Sequence, residues 1–223
     1  GAPVPPPAPP ADPTFVGEAA AEYAGAYRAP SPAAAAARSR RAGAAALRPG
    51  GADPVHDRLT FSARDDRLFL RLPAGAEVAL ERRGNDLFLA PHADWDGFHL
   101  RFERDDGGAV VALSFGAEWF AREGRAPPAA PAPDPSWDEL TGTYRSHDPW
   151  NPVFRVISRR GRLFMVAPWL YPADELELAP LPGGGFRVGS PEWLPDRLSF
   201  DTAIDGHATR AVYDGLPFYR TFT

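Results

Sequence analysis

Landmarks along the first half of this 223-residue chain recur, in the same order, along its second half. Tyr23-Ala-Gly25-Ala-Tyr27-Arg28 is matched by Leu140-Thr-Gly142-Thr-Tyr144-Arg145, and Arg64-Asp-Asp-Arg-Leu68-Phe69-Leu70 by Arg159-Arg-Gly-Arg-Leu163-Phe164-Met165. Leu100-Arg-Phe102 returns as Leu198-Ser-Phe200, and the closing Trp119-Phe120-Ala-Arg122 as Phe218-Tyr219-Arg220. Leu100 to Arg122 is as long as Leu198 to Arg220, so the copies share a register as well as an order. Self-similarity of this kind makes each copy one structural unit, built to the same plan.

The copies differ between their first two landmarks, where the first holds an insert of about 22 extra residues within positions 29–54. The insert is mostly Ala, Arg, Gly and Pro. Ala33 to Leu47 has helix propensity but no amphipathic stripe, so it offers a core almost nothing. Outside it, each half is a series of short runs with period-2 alternation, bounded by Gly, Asp or Pro turns. The first half has Leu59–Ser62, Leu68–Leu72, Leu87–Leu89, His99–Phe102 and Ala109–Phe115. The second has Phe154–Ile157, Leu163–Val166, Leu176–Leu178, Phe186–Val188, Arg197–Phe200, Ala208–Val212 and Phe218–Phe222. Such runs are half-buried strands. A meander of seven or eight strands must bury or remove its edges, and closing into a small antiparallel barrel does so.

The 27 prolines concentrate where strands are absent. Seven fall within Gly1 to Pro13 and five between Gly124 and Ser136, which marks two extended spacers. The expected organisation is a Pro-rich linker at 1–14, a first β module at 15–123 with a low-complexity insert at about 30–53, a Pro/Ala linker at 124–136, and a second β module at 137–223. The N-terminus has neither an initiator Met nor a signal-type apolar core, so the chain is expected to continue upstream.

The charge balance is 24 basic against 29 acidic residues, and the signs are interspersed. A basic face for nucleic acid is therefore not expected. Every basic residue other than histidine is arginine, because the chain contains no lysine. There is no cysteine, which removes disulfides and thiolate chemistry and leaves the compartment open, with a slight preference for the cytoplasm. No apolar run is long enough for a membrane-spanning helix.

Taken in combination, the Tyr/Leu-x-Gly-x-Tyr-Arg opening, the Arg-Gly-Arg-Leu hairpin, the Leu-x-Phe strand and the aromatic-Arg finish resemble the C-terminal lipocalin-like domain of beta-lactamase-related serine hydrolases. The second half is the better match, through Leu140–Pro152, Pro191–Phe200 and Tyr219–Thr223. The resemblance implies an all-β chain of two tandem antiparallel lipocalin-like barrels of about eight strands each. It also implies an accessory role toward an N-terminal catalytic domain carrying Ser-x-x-Lys and Tyr-x-Asn motifs. Neither motif is present here, and without lysine a Ser-Lys pair cannot be assembled from this chain. The partner expected is that catalytic domain, with self-association as a further use; the alternative is a stand-alone binder of an apolar small molecule.

The residues themselves give few chemical candidates. His56, His92, His99, His147 and His207 have no metal-ligand spacing. Ser146-His147-Asp148 has the composition of a triad, yet triads converge from distant elements and no Gly-x-Ser-x-Gly elbow accompanies it. Catalytic, cofactor and metal residues are therefore none. Tyr27, Phe61, Phe102, Tyr144, Phe154 and Phe200 are read as barrel core, since eight strands leave room for little more than side chains. The loop after the opening strand of module two carries His147, Trp150 and Asn151. With Trp169 and Trp193, these are the candidate contacts for a neighbouring domain or ligand.

Overall fold

The computed structural model describes residues 18–30, 57–95, 97–127, 129–167 and 174–221. The N-terminal Pro-rich segment, nearly all of the insert with its candidate helix, and the 168–173 loop bearing Trp169 and Tyr171 lie outside the described residues. The described chain forms two compact units, divided near Pro127.

Unit one begins with α1 (Glu18–Tyr23), followed by β1 (Gly25–Arg28), β2 (Arg58–Arg64), β3 (Arg67–Arg71), β4 (Glu77–Ala79) and β5 (Glu81–Gly84). It continues with β6 (Leu87–Leu89), β7 (Leu100–Arg104), β8 (Val110–Phe115) and β9 (Glu118–Arg122). These make one antiparallel sheet in the order β4-β3-β2-β1-β9-β8-β7-β6-β5. Its two end strands are consecutive in sequence and separated only by Leu80, whose N–H donates to the Leu68 carbonyl. The sheet thus nearly closes on itself.

Unit two opens with a 3₁₀ helix (Pro135–Leu140) and runs through β10 (Gly142–Arg145), β11 (Val153–Arg159), β12 (Arg162–Val166) and β13 (Glu175–Pro180). The rest is β14 (Phe186–Val188), β15 (Arg197–Ile204), β16 (His207–Tyr213) and β17 (Leu216–Arg220). Its eight strands form a closed barrel in sequence order. The expected all-β class with two antiparallel barrel-like units is what the chain adopts, except that unit one has nine strands rather than eight. The strand corresponding to β13 is broken there at Leu80, the counterpart of Leu178.

Register makes the duplication residue-specific. Gly25 pairs with Phe61 as Gly142 pairs with Val156, and Tyr27 with Arg122 as Tyr144 with Arg220. Phe88 pairs with Leu100 as Phe186 with Leu198, and Leu113 with Phe120 as Ala211 with Phe218. Hence β1 to β3 correspond to β10 to β12, β4 plus β5 to β13, and β6 to β9 to β14 to β17.

Inward positions fill each barrel, but with different side chains. Unit one packs Tyr23, Tyr27, Phe61, Phe88 and Phe102 edge to face, with ring centroids 4.9–5.6 Å apart. Such aromatic burial contributes on the order of 1.5–3 kcal/mol per side chain. In unit two, Phe61 is replaced by Val156, Tyr23 by Leu140, Leu113 by Ala211 and Val110 by Ala208. The missing volume is returned by Phe154 in place of Leu59 and by Trp137 in place of Ala20. Trp137 packs against the second core, with its ring 6.4 Å from that of Phe186. Close packing requires such exchanges to balance. Of the six expected core aromatics, five are buried; Phe200 is only half-buried.

Candidate functional site

One end of each barrel is closed by a helix, and the repeated motif does the closing. Gly25 and Gly142 have φ of +139° and +155°, and the Arg122 and Arg220 side chains lie over them, where a Cβ would come within 3.5 and 3.0 Å of each Nε. Glycine is required for that approach. The guanidiniums then donate to carbonyls, Arg122 to those of Glu22, Ala24 and Val110, and Arg220 to those of Glu139 and Ala208. The buried tyrosines join in, Tyr27 donating to the Tyr23 carbonyl at 2.9 Å and Tyr144 to that of Leu140 at 2.8 Å. Burial pushes the Tyr144 phenol up to about 12. Orphan carbonyls at the helix end are thereby satisfied. The motif is a structural clasp, and its donors are spent on backbone.

A second repeated cluster lies on the outer face. Arg64 pairs with Glu77 at 2.5 Å and stacks on Phe69, and Arg159 pairs with Glu175 at 2.5 Å and stacks on Phe164. The first pair is largely exposed; the second is buried, with side-chain exposures of 5% and 11%. In unit one, Arg104 also ties α1 to the sheet by donating to Asp86, Glu22, the Tyr23 hydroxyl and the Gly108 carbonyl. Both features hold the scaffold together.

The opposite end of barrel two is different. Among the described residues, the 146–152 and 189–196 loops and the 214–215 turn meet there, and each of the two loops holds a tryptophan out in solvent. Trp150 is 60% exposed and Trp193 78%. Their loops lie between the first and second and between the fifth and sixth strands of eight, on opposite sides of the barrel mouth. Leu216, at the start of β17, is also exposed.

Neither tryptophan owes its exposure to an unbraced loop. In 146–152, Asp148 accepts from the Trp150 amide at 2.9 Å and from Asn151 Nδ2 at 3.2 Å, Ser146 Oγ accepts from the Asp148 amide, and the Ser146 amide donates to the Pro152 carbonyl. These are local turns of the kind Asp and Ser favour. In 189–196, Arg197 donates to the carbonyls of Leu194 and Asp196, Arg187 to those of Gly189 and Ser190, and the Val188 amide to that of Asp196. The Tyr213 hydroxyl donates to Asp196, and its pKa is raised by burial first and by that carboxylate second.

The residues of the triad composition sit in this same 146–152 turn. Ser146 Oγ and the Asp148 carboxylate are engaged by backbone amides of their own turn, and His147 is exposed. Among the described residues no group of three or more His, Cys, Asp or Glu could hold a metal ion. No helix among them is long and apolar enough to cross a membrane.

No protein-family model matches the chain, and no curated protein does.

Of the five candidate contacts, Trp150, Asn151, His147 and Trp193 thus fall on loops at one barrel end, while Trp169 lies outside the described residues. Three further features of that end were missed. Asp196 and Tyr213 replace an apolar closure, and Glu192 stands exposed beside Trp193. A signal for them was present: Trp95 and Trp193 each stand five residues before the matching leucines of the next strand, Leu100 and Leu198. Trp95 is buried against Phe115, with centroids 4.9 Å apart, and Phe98 packs on the same ring at 5.7 Å. The counterparts of Phe115 and Phe98 are Tyr213 and Asp196, which hydrogen-bond to each other.

Proposed function

We propose that the chain is a non-catalytic accessory region of a beta-lactamase-like serine hydrolase, whose second barrel packs on the catalytic domain and shapes access to its cleft, with self-association as a further use. One observation carries the reading: among the described residues every exposed large apolar side chain, Trp150, Trp193, Ile204, Leu216 and Tyr219, belongs to the second barrel. Rigidly held, solvent-facing tryptophans are the anchors that dominate protein contacts. The chain has no lysine to activate a Ser-x-x-Lys nucleophile, so hydrolysis of that type falls to another domain. A barrel interior filled by Tyr144, Phe154, Phe186 and Phe218 supports this reading over a stand-alone binder of an apolar molecule.

The test is to read the gene upstream of Gly1 and to assay the encoded protein with and without residues 137–223 on chromogenic ester and β-lactam substrates. The expected result is an upstream Ser-x-x-Lys domain whose kcat/KM or stability changes when the second barrel is removed. An upstream region encoding no hydrolase domain contradicts the proposal.

A further inference from the structure

Barrel two is closed along only part of β15. The short strand β14 pairs with it at Phe186–Leu198 and Arg187–Arg197, whereas β15 runs on to Ile204, paired with β16 as far as Ile204–His207. From Phe200 to Ile204, among the described residues, β15 therefore has a strand on one side only. Asp201, Thr202, Ala203 and Ile204 are exposed.

Barrel one treats the same place differently. There the Phe102 amide donates to the Asp86 carbonyl at 2.8 Å, Arg104 Nε donates to the Asp86 carboxylate, and β7 ends at Arg104 after a register shift. A bulge, a charged side chain and a covering turn are devices that keep a sheet edge from pairing. The counterparts of Phe102, Asp86 and Arg104 are Phe200, Gly184 and Thr202. Among the described residues no carbonyl of the 181–185 turn accepts from the Phe200 amide. One device remains, Thr202, which at φ +52° bends the strand and whose carbonyl accepts from Thr209 Oγ1 at 2.7 Å.

We infer that this open edge is a self-association surface, on which the same edge of a second copy lies antiparallel about a twofold axis near Thr202. The inference deepens the self-association within the accessory reading and rests on that part of it. An edge strand presents amides and carbonyls at the spacing that another strand requires. A twofold axis lets one patch serve both copies. Charge permits the approach, because Asp201 is the one charged residue from Ser199 to Ile204 and Arg210 of the same copy already donates to its carboxylate through Nε and Nη2. Two copies thus meet without bare like charges. The run contains neither lysine nor proline, and Ile204, 56% exposed, lies within it. A run this short buries less than a standard interface, so the pairing is weak and set by concentration.

The experiment is sedimentation equilibrium of the full chain from micromolar to millimolar concentration, with amide hydrogen exchange measured at both ends of the range. The weight-average mass is expected to rise from one chain toward two. Exchange within 199–204 should slow several-fold at the high concentration, while exchange within 100–104 of β7 stays as it was. Thr202→Lys and Ile204→Lys each place two lysines in the twofold contact and should raise the dissociation constant about fivefold. Both side chains are exposed, so the thermal melts of the variants should coincide with the parent. A single-chain mass at every concentration overturns the inference together with self-association. Association that leaves 199–204 exchanging freely, or that both lysine variants leave undiminished, overturns the inference alone. The gene upstream of Gly1 decides the accessory reading separately, so the failures are distinguishable.

Discussion

Trp95 and Trp193 occupy the same register position in two copies of one barrel plan, and they face opposite ways. In unit one the indole is 1% exposed, seated on Phe115 and closing the barrel mouth; in unit two it is 78% exposed. Phe88 to Leu100 is as long as Phe186 to Leu198, so chain length does not cause the difference. The seat does: Phe115 and Phe98 of the first copy correspond to Tyr213 and Asp196 of the second, and a hydroxyl bonded to a carboxylate offers an indole no apolar bed. A duplicated residue keeps its address when its neighbours change, but loses its role. What was core in one copy becomes surface in the other, and the surface so made is where function is proposed.

This comparison can be broken or sharpened by paired substitutions. The largest effect is expected at the tryptophans: Trp95→Ala should cost about 3–5 kcal/mol by leaving a cavity, and Trp193→Ala no more than about 0.5 kcal/mol. Urea unfolding followed by circular dichroism reads both. Similar losses at the two positions would mean that the seats are not different after all.

The outer-face ion pairs give the next contrast. Glu175→Gln leaves the Arg159 charge buried without its counter-charge and should cost about 3 kcal/mol. Glu77→Gln, at the corresponding but exposed pair, should hardly move the unfolding midpoint. Equal shifts would place the two pairs in the same environment.

Alkaline titration tests the clasp. The Tyr144 phenol ordinarily ionises near 10 and is held up to about 12 in the folded barrel, chiefly by burial. Between those values the unfolded chain has lost a proton that the folded chain keeps, so stability falls as pH rises through that window and is unaffected below it. The loss should approach roughly 2–3 kcal/mol by pH 12 for this group. Tyr144→Phe should remove that component of the pH dependence in the second barrel, and an unchanged profile would show that the phenol is not held neutral. Tyr27 is pushed up by the same cause, so unit one should show its own alkaline loss.

The smallest contrast is at the clasp glycines. Gly142→Ala puts a methyl 3.0 Å from Arg220 Nε and should cost about 1–2 kcal/mol, whereas Gly25→Ala, with 3.5 Å of room beside Arg122, should cost less. The two melts, compared on one scale, decide it.

Much of this architecture was legible because period-2 alternation survives where one strand face is apolar. Leu68-Phe69-Leu70 and Leu163-Phe164-Met165 could be read as strands directly, and the repeated Gly-x-Tyr-Arg opening located the first strand of each barrel. β4 and β5 escaped because Glu77, Glu81, Arg82 and Arg83 leave no apolar rhythm across Glu77 to Gly84. The 3₁₀ helix escaped because Asp134-Pro135 reads as linker, although Asp134 caps it by accepting from the Ser136 amide. Pro131 likewise belongs with the barrel, its carbonyl occupying the space that a Cβ on Gly161 would need. The site was half legible. Trp150 and Trp193 could be singled out by type, and the shared end follows from strand count. Which way Trp193 faces is set by Tyr213 and Asp196, residues distant in the alternation pattern, and only their hydrogen bond reveals it.

Acrylamide quenching of tryptophan emission in the full chain, compared with Trp193→Phe and Trp95→Phe, addresses the outward turn of the second barrel's indole most directly. The account predicts that Trp193→Phe removes red-shifted, readily quenched emission, while Trp95→Phe removes blue-shifted emission that acrylamide barely reaches. The reverse pattern, or two indistinguishable losses, would contradict it.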